Sequence, residues 1–240
     1  MVIEMKIICF GDSLTRGVSV VKGRMRILKE NYPAFLQELF NQQEEKDVTV
    51  INKGVFNDNS DLMLSRLEKD VLNEHPDYTI IEVGGNDCNF NWNEIIEKPK
   101  EEHQAIVSLQ RYLANISEIV KKMRDSGIIP IIATLPPLDP VRYYQTISTQ
   151  YSPSIGNWIG KLGGIQHWHG MYNYHLNKLA DELKVPKIDV RTAIKKAGDS
   201  INLISEDGIH LTAEGYNAFS RAVFNYLIKW SDDQILTSNR

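Results

Sequence analysis

Two cysteines are all that the 240 residues contain, too few for a disulfide framework or a cysteine-based metal site. Cys9 lies in the first apolar run and Cys88 far along the chain, and both are expected as thiols. A long hydrophobic run is also missing, since none approaches the ~20 apolar residues of a transmembrane helix. Positive charge is in short supply too. Lys and Arg number 27 against 31 Asp and Glu, a net charge of -4, and no basic stripe breaks the pattern, so nothing points to a nucleic-acid partner. The first six residues lead straight into an apolar strand, which leaves no room for a secretory signal peptide; the expected location is cytoplasmic. No internal repeat or low-complexity linker is present.

What is there is a core. Apolar residues make up 42% of the chain, and strand-like and helix-like segments alternate along it. That alternation argues for a parallel sheet with helices on both faces. Strands are expected at 5–10, 48–52, 78–83, 128–133 and 186–190. Helices are expected at 33–43, with Pro33 at a helix start, at 60–73, over a long apolar stripe from Ile106 to Met123, at 171–184, and from Thr212 onward with Phe219, Val223 and Leu227. Asp233 to Arg240 reads as a polar frayed tail. The expectation is one domain over 1–240, three-layer α/β/α and flavodoxin-like. The sheet order 2-1-3-4-5 follows from right-handed crossovers.

Residues 136–170 interrupt this alternation. They carry Tyr143, Tyr144, Tyr151, Trp158, His167, Trp168 and His169 among glycines and polar residues. So long a loop in a compact domain is often functional, and this one leaves from the end of the fourth strand. It is expected as a lid or pocket wall, with a short helix near 154–162 and with Trp158 or Trp168 facing the substrate. His167, His169 and His175 lack the spacing and partner ligands of a metal centre, so no metal is expected.

The chemistry is concentrated at strand ends. Lys6 to Phe10 is a buried strand closed by Gly11-Asp12-Ser13-Leu14, which should turn sharply and present the Ser13 hydroxyl at the carboxyl edge of the sheet. Ligands of open α/β sheets bind there, and a serine beside a base is a nucleophile. Asp207-Gly208-Ile209-His210 sets a carboxylate three residues before a histidine, a spacing that brings the two side chains together in a turn. A histidine so held keeps one ring nitrogen protonated and the other free to accept a proton. Asn52-Lys53-Gly54 and Gly84-Gly85-Asn86-Asp87 follow the second and third strands and reach the same edge.

Gly-Asp-Ser-Leu at 11–14, Gly54, Gly-x-Asn-Asp at 84–87 and Asp-x-x-His at 207–210, in this order over nearly the whole chain, resemble the GDSL esterases and lipases, also called SGNH hydrolases. The resemblance implies Ser13 as nucleophile, His210 as base and Asp207 as its orienter. It implies an oxyanion hole of the Ser13 and Gly54 N–H groups and the Asn86 side chain. It also implies a small-molecule ester substrate (a small acyl ester, a lysophospholipid or an acetylated compound) and no cofactor. The family often carries a second glycine three residues after Gly54; here Asn57 stands there, a residue that tolerates left-handed backbone. The competing reading is a flavodoxin-like module that binds a phosphate or nucleotide at residues 11–17, which leaves Asn86, Asp207 and His210 without a role.

Overall fold

The computed structural model describes residues 3–43 and 46–238. Among the described residues seven strands run β1 (Ile3–Gly11), β2 (Val18–Val21), β3 (Arg24–Ile27), β4 (Lys46–Gly54), β5 (Tyr78–Glu82), β6 (Ile129–Ala133) and β7 (Lys187–Ile188). Five of them form a parallel sheet in the order β4-β1-β5-β6-β7. With the small β2-β3 hairpin set aside, this is the expected 2-1-3-4-5 order. The first strand is central, and the helices cover both faces in a three-layer α/β/α arrangement.

Both faces of β1 are buried, which is why it reads as a continuous apolar run rather than an alternating one. Ile8 and Phe10 point into one core, shared with Ile81, Met63, Ile116 and Leu176. Ile7 and Cys9 point into the other, shared with Ile80, Leu36, Ile131 and Phe219. Helices α1 (Ser13–Arg16), α2 (Tyr32–Asn41), α3 (Ser60–Asp70), α4 (Trp92–Glu97), α5 (Leu109–Asp125), α6 (Pro140–Gln150), α7 (Gly156–Lys161), α8 (Ile165–Glu182), α9 (Val190–Ala197), α10 (Ser200–Leu203) and α11 (Ala213–Ser238) complete the chain. Among the described residues no helix is long and apolar enough to cross a membrane.

The start of α5 shows how local chemistry sets a boundary. Its apolar stripe begins at Ile106, but Ser108 accepts a hydrogen bond from Arg111 N and caps the helix there, leaving Ile106 in the approach. At the other end of the chain α11 continues through Ser238, so the tail expected from Asp233 is helical as far as the described residues reach; residues 239–240 lie outside them.

Residues 136–170 differ from the expected loop. They carry α6, α7, a 3-10 turn at Pro153–Ile155 and the first turns of α8. The helix expected at 171–184 therefore starts earlier and absorbs His167, Trp168 and His169. Two devices make this compact. Asp139 caps α6 by accepting from Val141 N and Arg142 N. Phe90, Trp92, Ile95, Ile147, Ile155, Trp158 and Ile159 form a third apolar cluster beneath it.

Candidate active site

Ser13 sits at the first turn after β1. Asp12 accepts a hydrogen bond from Leu14 N at 2.9 Å and caps α1, so the chain reverses as soon as the strand ends. Ser13 Oγ is 2.9 Å from His210 Nε2. His210 Nδ1 is 2.5 Å from Asp207 Oδ2. The other Asp207 oxygen accepts from the Ser205 hydroxyl at 2.7 Å and from the backbone N–H groups of Ile209 and His210. Burial alone would raise the Asp207 carboxyl, but the His210 ring, the Ser205 hydroxyl and these N–H groups outweigh it and hold it down to about 2. A carboxylate bonded this way fixes the ring: Nδ1 carries the proton and Nε2 is free to accept one from Ser13.

The turn that carries Asp207 and His210 depends on Gly208. Its φ is +82°, and a Cβ there would lie 2.3 Å from Tyr143 N. Asp139 N donates to Gly208 O at 2.8 Å, and Ser205 N donates to His210 O at 2.8 Å. The turn is thus held on one side by the start of α6 and on the other by its own backbone. Thr212 closes it by accepting from Gly215 N at the start of α11. Outside it, Glu206 accepts from Lys22 N and Gly23 N in the turn of the β2-β3 hairpin.

The oxyanion assignment needs one correction. The Gly54 N–H donates to Asn52 Oδ1 at 2.9 Å and so is not presented to Ser13. Gly54 is glycine for a steric reason, since a Cβ would lie 2.2 Å from Arg16 N where β4 meets α1. Asn57, three residues on, has φ +63°, the left-handed conformation that asparagine tolerates. Asn86 Nδ2 donates to Asp58 O at 2.7 Å, which ties the Asn86 side chain to this same loop. Arg66 braces it from below. Its guanidinium bonds Asp58, Lys53 O and Gly11 O and lies 4.4 Å from the centre of the Phe10 ring.

The neighbouring aspartates and glutamate serve the scaffold. Asp87 accepts from Ser60 N and Oγ at the start of α3, and burial raises it to about 6. Glu82, at the end of β5, accepts from the Thr15 hydroxyl at 3.1 Å and is buried beside Asp12. Burial pushes Glu82 up to about 7, and burial together with Glu82 pushes Asp12 up. The folded state therefore holds a proton on the Asp12–Glu82 pair that the unfolded chain releases above about pH 4.5. The stability this confers is complete below that pH and is lost as pH rises through about 7. Glu82→Gln is expected to flatten the fall in Tm between about pH 4.5 and 7 by a few degrees, Asp12 and Asp87 supplying the remainder. Thermal melts of both proteins across that range check it.

A cavity of about 80 Å³ opens beside Ser13 and His210. Trp168 is on its wall, with its indole N–H donating to Cys88 O at 2.7 Å. Trp158 is not on it. Its ring stands edge-on to Phe90, at 5.9 Å between centroids, within the third apolar cluster, so it supports the wall from behind. His169, Tyr143, Leu138 and Ile165 also line the cavity and were not singled out from sequence as substrate contacts. Of the three histidines on α8, only His169 reaches it. The run His167-Trp168-His169 marks its neighbourhood in the sequence; which histidine faces inward depends on α8 starting at Ile165 rather than at 171.

Known proteins bear on this geometry in two ways. The uncharacterized lipoprotein YqeF of Bacillus subtilis is 26% identical over 223 residues, 87% of this chain and 84% of that one. Two solved structures share the fold: a lipase/acylhydrolase from Enterococcus faecalis (TM-score 0.68, 20% identity, covering 92% of this chain and 94% of that one) and the acetylxylan esterase Axe2 from Geobacillus stearothermophilus (TM-score 0.65, 20% identity, 92% and 93%). The sequence profile of the GDSL-like lipase/acylhydrolase family matches residues 9–218. A match of that extent runs from β1 into α11 and takes in every residue gathered around Ser13: the chain belongs to the GDSL-like lipase/acylhydrolase family, whose members are carboxylic ester hydrolases.

Proposed function

We propose that the protein hydrolyses short-acyl carboxylic esters through a covalent acyl-enzyme, with Ser13, His210 and Asp207 as its catalytic residues and a single domain carrying them all. The observation that carries this is the unbroken relay from Ser13 Oγ to His210 Nε2 and from His210 Nδ1 to Asp207. Ser13 Oγ attacks the carbonyl carbon while His210 Nε2 takes its proton. The tetrahedral oxyanion collapses, His210 returns the proton to the leaving alkoxide, and the acyl group stays on Ser13. Water then attacks the acyl carbon, giving its proton to His210, and the acid leaves as Ser13 recovers its hydrogen. Asp207 stabilises the imidazolium at each stage without taking its proton.

The oxyanion would be held by the Ser13 N–H, by the Asn86 side-chain amide and by the Asn57 N–H, which takes the place expected for Gly54. Among the described residues neither the Ser13 nor the Asn57 N–H has a hydrogen-bond acceptor. The phosphate-cradle alternative fits less well. It would set an anion beside the buried acids Asp12 and Glu82, and it gives the relay nothing to do.

Cavity size supports the short-acyl reading. A cavity of ~150 Å³ admits benzene; at about 80 Å³ this one suits an acyl group of roughly two to four carbons. Of the small acyl, lysophospholipid and acetylated substrates, the first and last fit. A fluorophosphonate should label Ser13, and p-nitrophenyl acetate and butyrate should be hydrolysed with kcat/KM at least tenfold above the decanoate. A preference for the decanoate would overturn the short-acyl assignment. A cytoplasmic location is part of the same proposal, on the two buried free thiols. Because YqeF is a lipoprotein, fractionation of cells producing the full chain is the test.

A further inference from the structure

His169 lines the same cavity as Ser13 and His210, yet hydrolysis gives it no task. It is 7% exposed. Its Nδ1 lies 3.1 Å from Arg191 Nη1. A guanidinium only donates, so Nδ1 accepts and carries no proton, and the neutral ring bears its hydrogen on Nε2. Arg191 is itself fixed, because the same Nη1 also donates to Leu135 O and Pro136 O, in the chain that forms the cavity wall. Burial, with the charges of Arg191 and Lys195, pushes the His169 pKa down to about 3, so the ring stays neutral wherever an esterase is assayed. Among the described residues no acceptor takes the Nε2–H. The lining of the cavity is mixed, with Phe90, Leu162 and Trp168 alongside the polar Asn86, Asn89 and Tyr143.

We propose that the Nε2–H of His169 is a substrate-binding donor that recognises an oxygen acceptor, a hydroxyl, ether or carbonyl oxygen, placed a few bonds from the scissile ester. This rests on the hydrolase reading above. A donor on a buried ring is costly to desolvate without a partner. An all-alkyl group that displaces water from this cavity leaves the donor unpaired; an oxygenated group of the same size pairs it. The site therefore favours esters of hydroxylated or otherwise oxygenated compounds over plain alkyl esters. The charge on Arg191 strengthens the preference by polarising the ring it bonds.

The acceptor can lie on the acyl or the alcohol half, and matched pairs separate the two. p-Nitrophenyl 3-hydroxybutyrate against p-nitrophenyl butyrate probes the acyl half. Glycerol 1-acetate against propyl acetate probes the alcohol half. The native protein is expected to favour the oxygenated member of one pair by roughly tenfold in kcat/KM, the worth of one hydrogen bond made instead of left unmade. His169→Phe should bring that ratio near one, and His169→Gln, which keeps a donor, should retain part of it. Arg191→Met, which releases Nδ1, should weaken the ratio as well, and it decides the matter should His169→Phe fail to fold. A structural role alone would lower both members of a pair together and leave the ratio as it was; that outcome overturns the proposal. So does a native protein that turns over both pairs without preference, while leaving the hydrolase reading intact. Absence of turnover on every ester, with no fluorophosphonate label on Ser13, overturns the hydrolase reading and this proposal with it.

Discussion

Ser13→Ala is expected to lower kcat on a short p-nitrophenyl ester by about 10⁶, the scale on which serine hydrolases lose their nucleophile. The fold should be untouched, because the Ser13 hydroxyl donates its hydrogen bond to His210 and to no structural partner. His210→Ala should cost the same order. The double variant should cost no more than either single change, since the two groups act as one unit. Steady-state rates with melting temperatures on the three variants give the answer. A Ser13→Ala protein that keeps more than about a hundredth of the native rate, once contaminating esterase is excluded by labelling, would remove Ser13 from the mechanism.

Asp207→Asn should cost about 10⁴ in kcat, the effect of reversing the tautomer of the base. The asparagine oxygen can still accept from Ser205, Ile209 and His210 N–H, so the turn survives. Its amide nitrogen then faces His210 Nδ1 and donates to it, which forces the ring hydrogen onto Nε2, where a proton acceptor is needed. Because Asp207 is held down to about 2, it is ionised throughout the assay range and should add no limb of its own to the native pH–rate profile there. Neither of the other strand-end aspartates can substitute. Asp87 is bonded to Ser60 at the start of α3, and Asp189 caps α9 through Thr192 N. Activity of Asp207→Asn within tenfold of native would show that another group orients His210.

Most of this arrangement was legible in the chain, and for a physical reason. The strands of a parallel sheet are apolar on both faces, so β1 and β5 stand out, and each ends in small residues that must turn. Those turns hold Ser13 and Asn86. The Asp207–His210 pair was legible because a three-residue spacing closes on itself in a tight turn whatever surrounds it. Elsewhere the signal was not local. Gly54 reads as an oxyanion donor until its N–H is seen bonded to Asn52, a contact between alternate residues that carries no sequence mark. Of the helices of 136–170 only α7 matches an expected one, the short helix near 154–162; α6 and the early start of α8 carry no clean apolar stripe, because their stability comes from the Phe90–Trp158 cluster beneath them. Trp158 and Trp168 looked equivalent as aromatic residues among glycines. Only the docking of α8, with Trp168 bonded to Cys88 O, sends one to the wall and the other behind it. The hairpin at 18–27 was missed because all of its residues from Val21 to Ile27 are exposed, so no apolar alternation marks it.

Ser13 and His210 stand 197 positions apart, near opposite ends of the chain, and the distance between them is closed by α11. Phe219 of α11 stacks on Tyr32 of α2 with ring centroids 4.0 Å apart, and the Tyr216 hydroxyl donates to Val18 O. The reactive hydroxyl therefore comes into being only when the first and last elements have met. A reagent that marks activated serine takes a census of completed molecules: a chain nicked, truncated or stalled with its final helix undocked keeps its serine and goes uncounted.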